Sequence, residues 1–170
     1  MTISPFIRRP ALALCLLLGA ASVSAQPVRQ TWLMLHSYSQ ESMLVTDLAE
    51  QGRLLKAGWK TNGTGNFLMD ASPDAVGVHR LVHSSSQGND RVFTIRPREI
   101  ANFLKLGYND EGTLGYAAAT QLKPDMIPVY CFSKEDKHLW LISQSDKPWA
   151  EKAGWKSEGI GFWIWPLADR

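Results

Sequence analysis

Ala153-Gly154-Trp155-Lys156-Ser157-Glu158-Gly159 is the third appearance of one pattern, after Ala57-Gly58-Trp59-Lys60-Thr61-Asn62-Gly63 and Leu106-Gly107-Tyr108-Asn109-Asp110-Glu111-Gly112. The interval is nearly constant at about 50 residues, which marks repeated structural units. Working outward from the glycine–aromatic pairs, other positions fall into register. Four residues after each aromatic stands a glycine, Gly63, Gly112 and Gly159, and four further on another aromatic, Phe67, Tyr116 and Trp163. Nine residues before each aromatic is an acid, Glu50, Glu99 and Asp146, and fifteen before it a large apolar residue, Leu44, Phe93 and Trp140. Agreement at so many classes of position predicts three diverged copies of one unit, spanning about 31–72, 76–120 and 126–166.

Each copy has the same order of local signals. A β-prone run comes first, at Thr31 to Leu35, Val78 to Val82 and Pro128 to Phe132. After a polar turn a second run follows, at Met43 to Thr46, Val92 to Ile95 and His138 to Ile142. These runs have strand length, not helix length. A brief helix is predicted over Leu48 to Ala57 and Pro97 to Leu106, with Asp47 as N-cap and Pro97 in the first turn. Gly58, Gly107 and Gly154 suit the left-handed residue that ends a helix. In the third copy Pro148 leaves the helix little room. A last strand is centred on Phe67, Tyr116 and Phe162-Trp163. One such unit has too few apolar residues for a core of its own, so the three are expected to share one. The expectation is a β-rich α+β domain over 26–170, made of three pseudo-symmetric strand, strand, short helix, strand repeats in a β-trefoil-like arrangement. The helices are foreign to an ordinary trefoil, which leaves a less regular three-part α+β assembly as the alternative.

Upstream, Arg8 and Arg9, the apolar run from Ala11 to Ala21 and the small-residue pattern Val23-Ser24-Ala25 predict an export signal over residues 1–25, cleaved after Ala25. The run is too short to span a bilayer, and Leu14 before Cys15 does not suit a lipid anchor. The expected location is the periplasm or the exterior. Without that segment, which holds Arg8 and Arg9 and no acid, basic and acidic residues balance at 16 each. Neutrality withdraws the electrostatic support that nucleic acid or an anionic membrane would require. Cys131 then stands alone, which excludes an internal disulfide and reads as a small buried apolar residue.

The second and third copies also carry Val78-His79-Arg80-Leu81 with Val92-Phe93-Thr94, and Val129-Tyr130 with His138-Leu139-Trp140, Ala153-Gly154-Trp155 and Glu158-Gly159. In these the chain resembles an uncharacterised repeat family of secreted bacterial proteins whose units read roughly YRLYN, HFYTT, AE, AAGW and EG. Its units are often appended to cell-wall glycosidases and other extracellular hydrolases. The first copy departs, with Asn62 in place of the acid at Glu111 and Glu158, and Met34 and Cys131 replace the arginine kept at Arg80. The resemblance implies an accessory extracellular role and brings no catalytic residues.

Among candidate sites, the seven tryptophans come first, because aromatic faces can stack on sugar rings. Trp59, Tyr108 and Trp155, like Trp140 and Trp163, occupy repeat positions and are expected in the core. Trp149 and Trp165 have no aromatic counterpart and are the candidate ligand-binding residues. His79 and His83 stand four apart, in a segment read as strand and loop, and do not suggest a metal site. Glu111 and Glu158 could pass for paired glycosidase carboxylates, but their recurrence beside Gly112 and Gly159 argues for turn or capping duty. Ser84-Ser85-Ser86 and Gly63-Thr64-Gly65 lack the frame of a nucleophile elbow or phosphate loop and read as loops. No cofactor is called for. The function expected first is non-enzymatic binding of a glycan or cell-wall polymer, then of an envelope protein, and last a hydrolase.

Overall fold

The computed structural model describes residues 26–85 and 88–167. The expected export signal over residues 1–25, with Cys15, and Ser86 lie outside the described residues. Strands β1 (Val28–His36), β2 (Glu41–Val45), helix α1 (Leu48–Lys56) and β3 (Lys60–Leu68) come first. β4 (Val76–Ser85), β5 (Gly88–Thr94), α2 (Pro97–Lys105) and β6 (Asn109–Ala117) follow, then β7 (Ile127–Lys134), β8 (Lys137–Leu141), α3 (Lys147–Lys152) and β9 (Lys156–Ile164). The fold is β-rich with a curled antiparallel sheet and few short helices. One sheet runs β2-β1-β3-β6-β4-β5 and the other β8-β7-β9. No helix among the described residues is long and apolar enough to cross a membrane.

The first strand of each group lies between the other two, as β1 does between β2 and β3. Pairing on both edges carries β1, β4 and β7 past the apolar runs that predicted them, since polar end residues still find backbone partners. The groups meet at the far ends of their last strands. Leu68 pairs with Tyr116, Asn66 with Trp165 and Ala118 with Trp163. Phe67, Phe93, Trp140 and Phe162 fill the space between the groups. Trp140 stacks on Phe162 at 6.1 Å and meets Phe93 edge to face at 5.5 Å. A second cluster gathers Tyr130, Phe132, Leu139, Leu141, Ala150 and Trp155.

Local chemistry explains the helices. Asp47 Oδ1 accepts from the Glu50 amide at 2.7 Å, and Pro97 opens α2 where a missing N–H costs nothing. At the other end, Trp59 N–H donates to Leu54 O, Tyr108 N–H to Phe103 O and Trp155 N–H to Ala150 O. These six-to-one closures require the glycine between to turn left-handed, and Gly58, Gly107 and Gly154 have φ of 90°, 88° and 86°. No residue of α1 or α2 is fully buried. Both lie over the sheet, pressing Leu54, Ile100 and Phe103 against the core.

Three local readings are corrected. Glu111 and Glu158 are not in turns: they sit within β6 and β9, at β-bulges. Cys131 pairs with Gly159 and Phe132 with Ser157, which leaves Glu158 unpaired. Likewise His79 pairs with Thr113 and Leu81 with Asp110, so that Glu111 and Gly112 together face Arg80. Gly112 and Gly159, with φ of 91° and 95°, supply the left-handed residue of such a bulge. Gly63-Thr64-Gly65 lies in β3, and Ser84 and Ser85 lie in β4, because neighbouring strands continue to offer partners there. Finally, Leu33, not Met34, matches Arg80 and Cys131. Leu33 faces Leu44 and Gly63, just as Cys131 faces Trp140 and Gly159.

Candidate functional site

The bulges re-aim one side chain of each last strand toward the helix of the preceding group, and this creates three comparable junctions. In the first, α1 offers Glu50, β4 Arg80 and β6 Glu111. Arg80 Nη1 donates to both Glu50 oxygens at 3.0 and 3.2 Å. Its Nε lies 2.6 Å from Glu111 Oε2, an ion pair without the alignment of a hydrogen bond. Two carboxylates thus share one guanidinium, itself 15% exposed. A second junction joins Asp146 to β3, where Asn62 Nδ2 donates to Asp146 Oδ2 at 2.9 Å beside apolar Leu33. Both are closed by the chain's own side chains.

The remaining junction is open. Here α2 offers Glu99, β7 offers Cys131 where Arg80 stands in the first, and β9 offers Glu158. A cavity of about 350 Å³ occupies the place, lined by Phe103, Trp140 and Cys131 besides the two acids. Trp140 is fixed by its indole N–H, which donates to Arg91 O at 2.9 Å. Gly161 lets β9 pass over the indole: a Cβ there would stand 2.9 Å from the Trp140 ring. Glu99 accepts from Thr94 Oγ1 at 2.5 Å and from the more exposed Arg96 at 2.9 Å. Glu158 accepts only a weak bond from the Cys131 thiol at 3.6 Å and has no ion pair among the described residues.

His138 completes the wall, held by a buried anchor. Asp90 Oδ1 accepts the His138 amide at 2.6 Å, while Oδ2 accepts His138 Nδ1 at 2.8 Å and the Tyr108 hydroxyl at 2.5 Å. Burial works against the charge on Asp90, but His138 and Tyr108 outweigh it and hold the carboxyl below its ordinary value. Burial also opposes charge on His138, and Asp90 more than offsets it, raising the imidazole. Burial and its bond to Asp90 push the Tyr108 hydroxyl up. Burial and then the Glu158 carboxylate push the Cys131 thiol far up. The thiol therefore stays protonated and is a poor nucleophile. What the cavity can do is accept hydrogen bonds from a positively charged or donor-rich group beside aromatic side chains.

Trp149 and Trp165, the sequence's ligand-binding candidates, are apart from this cavity. Trp149 is 42% exposed on α3. Trp165 is half-buried after β9, exchanging backbone bonds with Asn66. Trp155 is buried, whereas Trp59 and Tyr108 are half-buried, near His36 and His83 respectively. His79 and His83 both lie in β4, with His79 bonded to Asp110 at 2.8 Å. The cavity residues were missed, although a signal for them was present. Glu99 and Glu158 align in sequence with Glu50 and Glu111, and Cys131 aligns with Arg80.

No curated protein and no solved structure matches this chain. A family model, the domain of unknown function DUF5648, matches residues 30–165. That span is most of the sequence, and the chain belongs to this family of domains of unknown function.

Proposed function

We propose that the chain is a non-enzymatic binding module working outside the cytoplasm, and that its ligand enters the cavity between α2, β8 and β9. The observation that carries this reading is the open junction itself. It combines fixed aromatic walls with two carboxylates, and the nearest thiol is held protonated. A glycan or cell-wall polymer is the first ligand class, since ring faces beside carboxylate acceptors suit hydroxyl-rich chains. An envelope protein is the second, favoured by Arg80, which shows that a protein side chain can fill the corresponding place. The test is calorimetric titration with solubilised cell-wall fragments and with envelope extract, for the chain and its Trp140→Ala and Phe103→Ala variants. Binding that both substitutions leave unchanged would move the site elsewhere, with Trp149 and Trp165 next in line.

The three groups are read as diverged copies around a pseudo-threefold, trefoil-like axis. In support, the last strands meet pairwise at Leu68–Tyr116, Asn66–Trp165 and Ala118–Trp163, and each junction repeats the same three positions. Arg8, Arg9, the apolar run and Val23-Ser24-Ala25 support export, with the mature chain beginning at Gln26. Mass spectrometry of the exported protein should give Gln26 as its first residue; an intact residue 1 refutes export by cleavage.

A further inference from the structure

In the first junction a guanidinium lies between Glu50 and Glu111, one on the preceding helix and one at the strand bulge. At the open junction the corresponding acids, Glu99 and Glu158, both line the cavity, and the residue in line with Arg80 is Cys131, a buried uncharged thiol whose one link to the acids is the weak bond to Glu158 at 3.6 Å. The correspondence is backbone-deep. Arg80 faces Phe93 across one ladder and the bulge across the other, and Cys131 faces Trp140 and its own bulge in the same way. One junction therefore contains the complement of the other: the acids are kept and the cation is gone.

We propose that this cavity is a receptor for a guanidinium group supplied by the ligand, which takes the place that Arg80 occupies in the first junction. The inference rests on the cavity being the ligand site and specifies the group it takes. Glu158 offers an acceptor with no ion pair among the described residues, and Glu99 offers a second, held by the Thr94 hydroxyl and by exposed Arg96. A planar fork can bridge two carboxylates in a way a point-like ammonium cannot. Phe103 and Trp140 line the cavity and give the flat cation aromatic neighbours. His138 does not oppose it, because its charge is balanced at 2.8 Å by Asp90. The second junction offers no such place, since Asn62 and Asp146 bond to each other.

The test titrates the full chain with butylguanidinium, with butylurea, which has the same shape and no charge, and with butylammonium. Butylguanidinium should bind about tenfold or more tighter than either, as a charge-assisted bidentate pair supports. Glu158→Gln, at an exposed position, should weaken it by about tenfold and leave the melting temperature unchanged. Cys131→Arg should fill the cavity from within, abolishing binding while melting no lower than the parent chain. Should that variant not fold, Glu158→Gln still decides. Butylurea or butylammonium binding as tightly as butylguanidinium, or Glu158→Gln binding undiminished, overturns the proposal. If cell-wall fragments bind at the cavity and butylguanidinium does not, the guanidinium assignment falls and the module reading stands. If neither binds there, both fall.

Discussion

Replacing Trp155 by alanine separates the tryptophans that hold the fold from those free to meet a ligand. Trp155 is 6% exposed and packs among Tyr130, Phe132, Leu139, Leu141 and Ala150. Its indole N–H donates to Gln40 Oε1 at 3.0 Å. Gln40 is half-exposed, so water replaces the lost donor and little of the cost comes from that bond. What remains is the cavity left by a large buried aromatic, about 3–5 kcal/mol. For a chain of this size each kcal/mol moves the melting temperature by about 3 °C, so Trp155→Ala should melt about 10–15 °C lower. Trp149, 42% exposed on a six-residue helix, should cost less than about 1 kcal/mol. Thermal unfolding followed by circular dichroism, at one pH and ionic strength, reads both. Equal losses would show that Trp149 belongs to the core and would remove it from any surface role; a negligible loss at Trp155 would refute the packing argument.

Gly107→Ala should destabilise by about 1 kcal/mol, because its φ of 88° is costly for a residue with a Cβ although no atom comes closer than 3.8 Å. Gly52→Ala, in the body of α1 with open space around it, should stabilise by about 0.5–1 kcal/mol, and denaturant titration of the pair checks both signs. The Asp90–His138 pair predicts a stability window in pH. The raised His138 contributes fully below its ordinary 6.5 and loses that contribution as pH climbs through the raised value. The lowered Asp90 contributes fully above 3.8 and loses that contribution as pH falls through the depressed value. Unfolding free energy measured against pH should thus fall on both sides of a mildly acidic plateau, and His138→Ala should flatten the upper limb. Arg80→Met leaves Glu50 and Glu111 facing each other and should cost about 1–3 kcal/mol, part of it recovered in high salt; a neutral outcome would show that the ion triad carries no stability.

The parts of this fold that were legible in sequence are those whose chemistry is local. A helix closed by a left-handed glycine and followed by an aromatic needs only six consecutive residues, and Gly58, Gly107 and Gly154 announce it three times. Strand limits were less legible because pairing is decided by neighbours. Gly63-Thr64-Gly65 looks like a loop until β1 lies alongside it. Glu111-Gly112 and Glu158-Gly159 illustrate the same limit. An acid before a left-handed glycine fits a turn and a bulge equally well, and only the two-against-one register with Arg80 and Cys131 separates them. The junctions were the least visible, since they join residues far apart in the chain. Glu50 meets Arg80 across 30 residues and Asn62 meets Asp146 across 84. Aligning the three stretches of sequence shows which positions correspond. It does not show that the helix acid of one strand group faces the bulge of the next.

That geometry turns an apparent defect in the motif into the most informative residue of the chain. With Cys131 in the arginine position, Glu99 and Glu158 face one cavity without a shared cation: Glu158 is exposed and Glu99 pairs with Arg96. A merely structural substitution would be expected to close the space, as Asn62 and Asp146 do beside Leu33. Here the aromatic walls are instead held open by contacts unrelated to the acids. Trp140 is tied to Arg91 O, and His138 to Asp90. A cation entering the cavity therefore meets acceptors whose surroundings are already fixed. Binding and stability are then linked: ligand in excess must raise the melting temperature in proportion to the logarithm of its concentration over Kd, and Cys131→Arg must capture part of that gain with no ligand present.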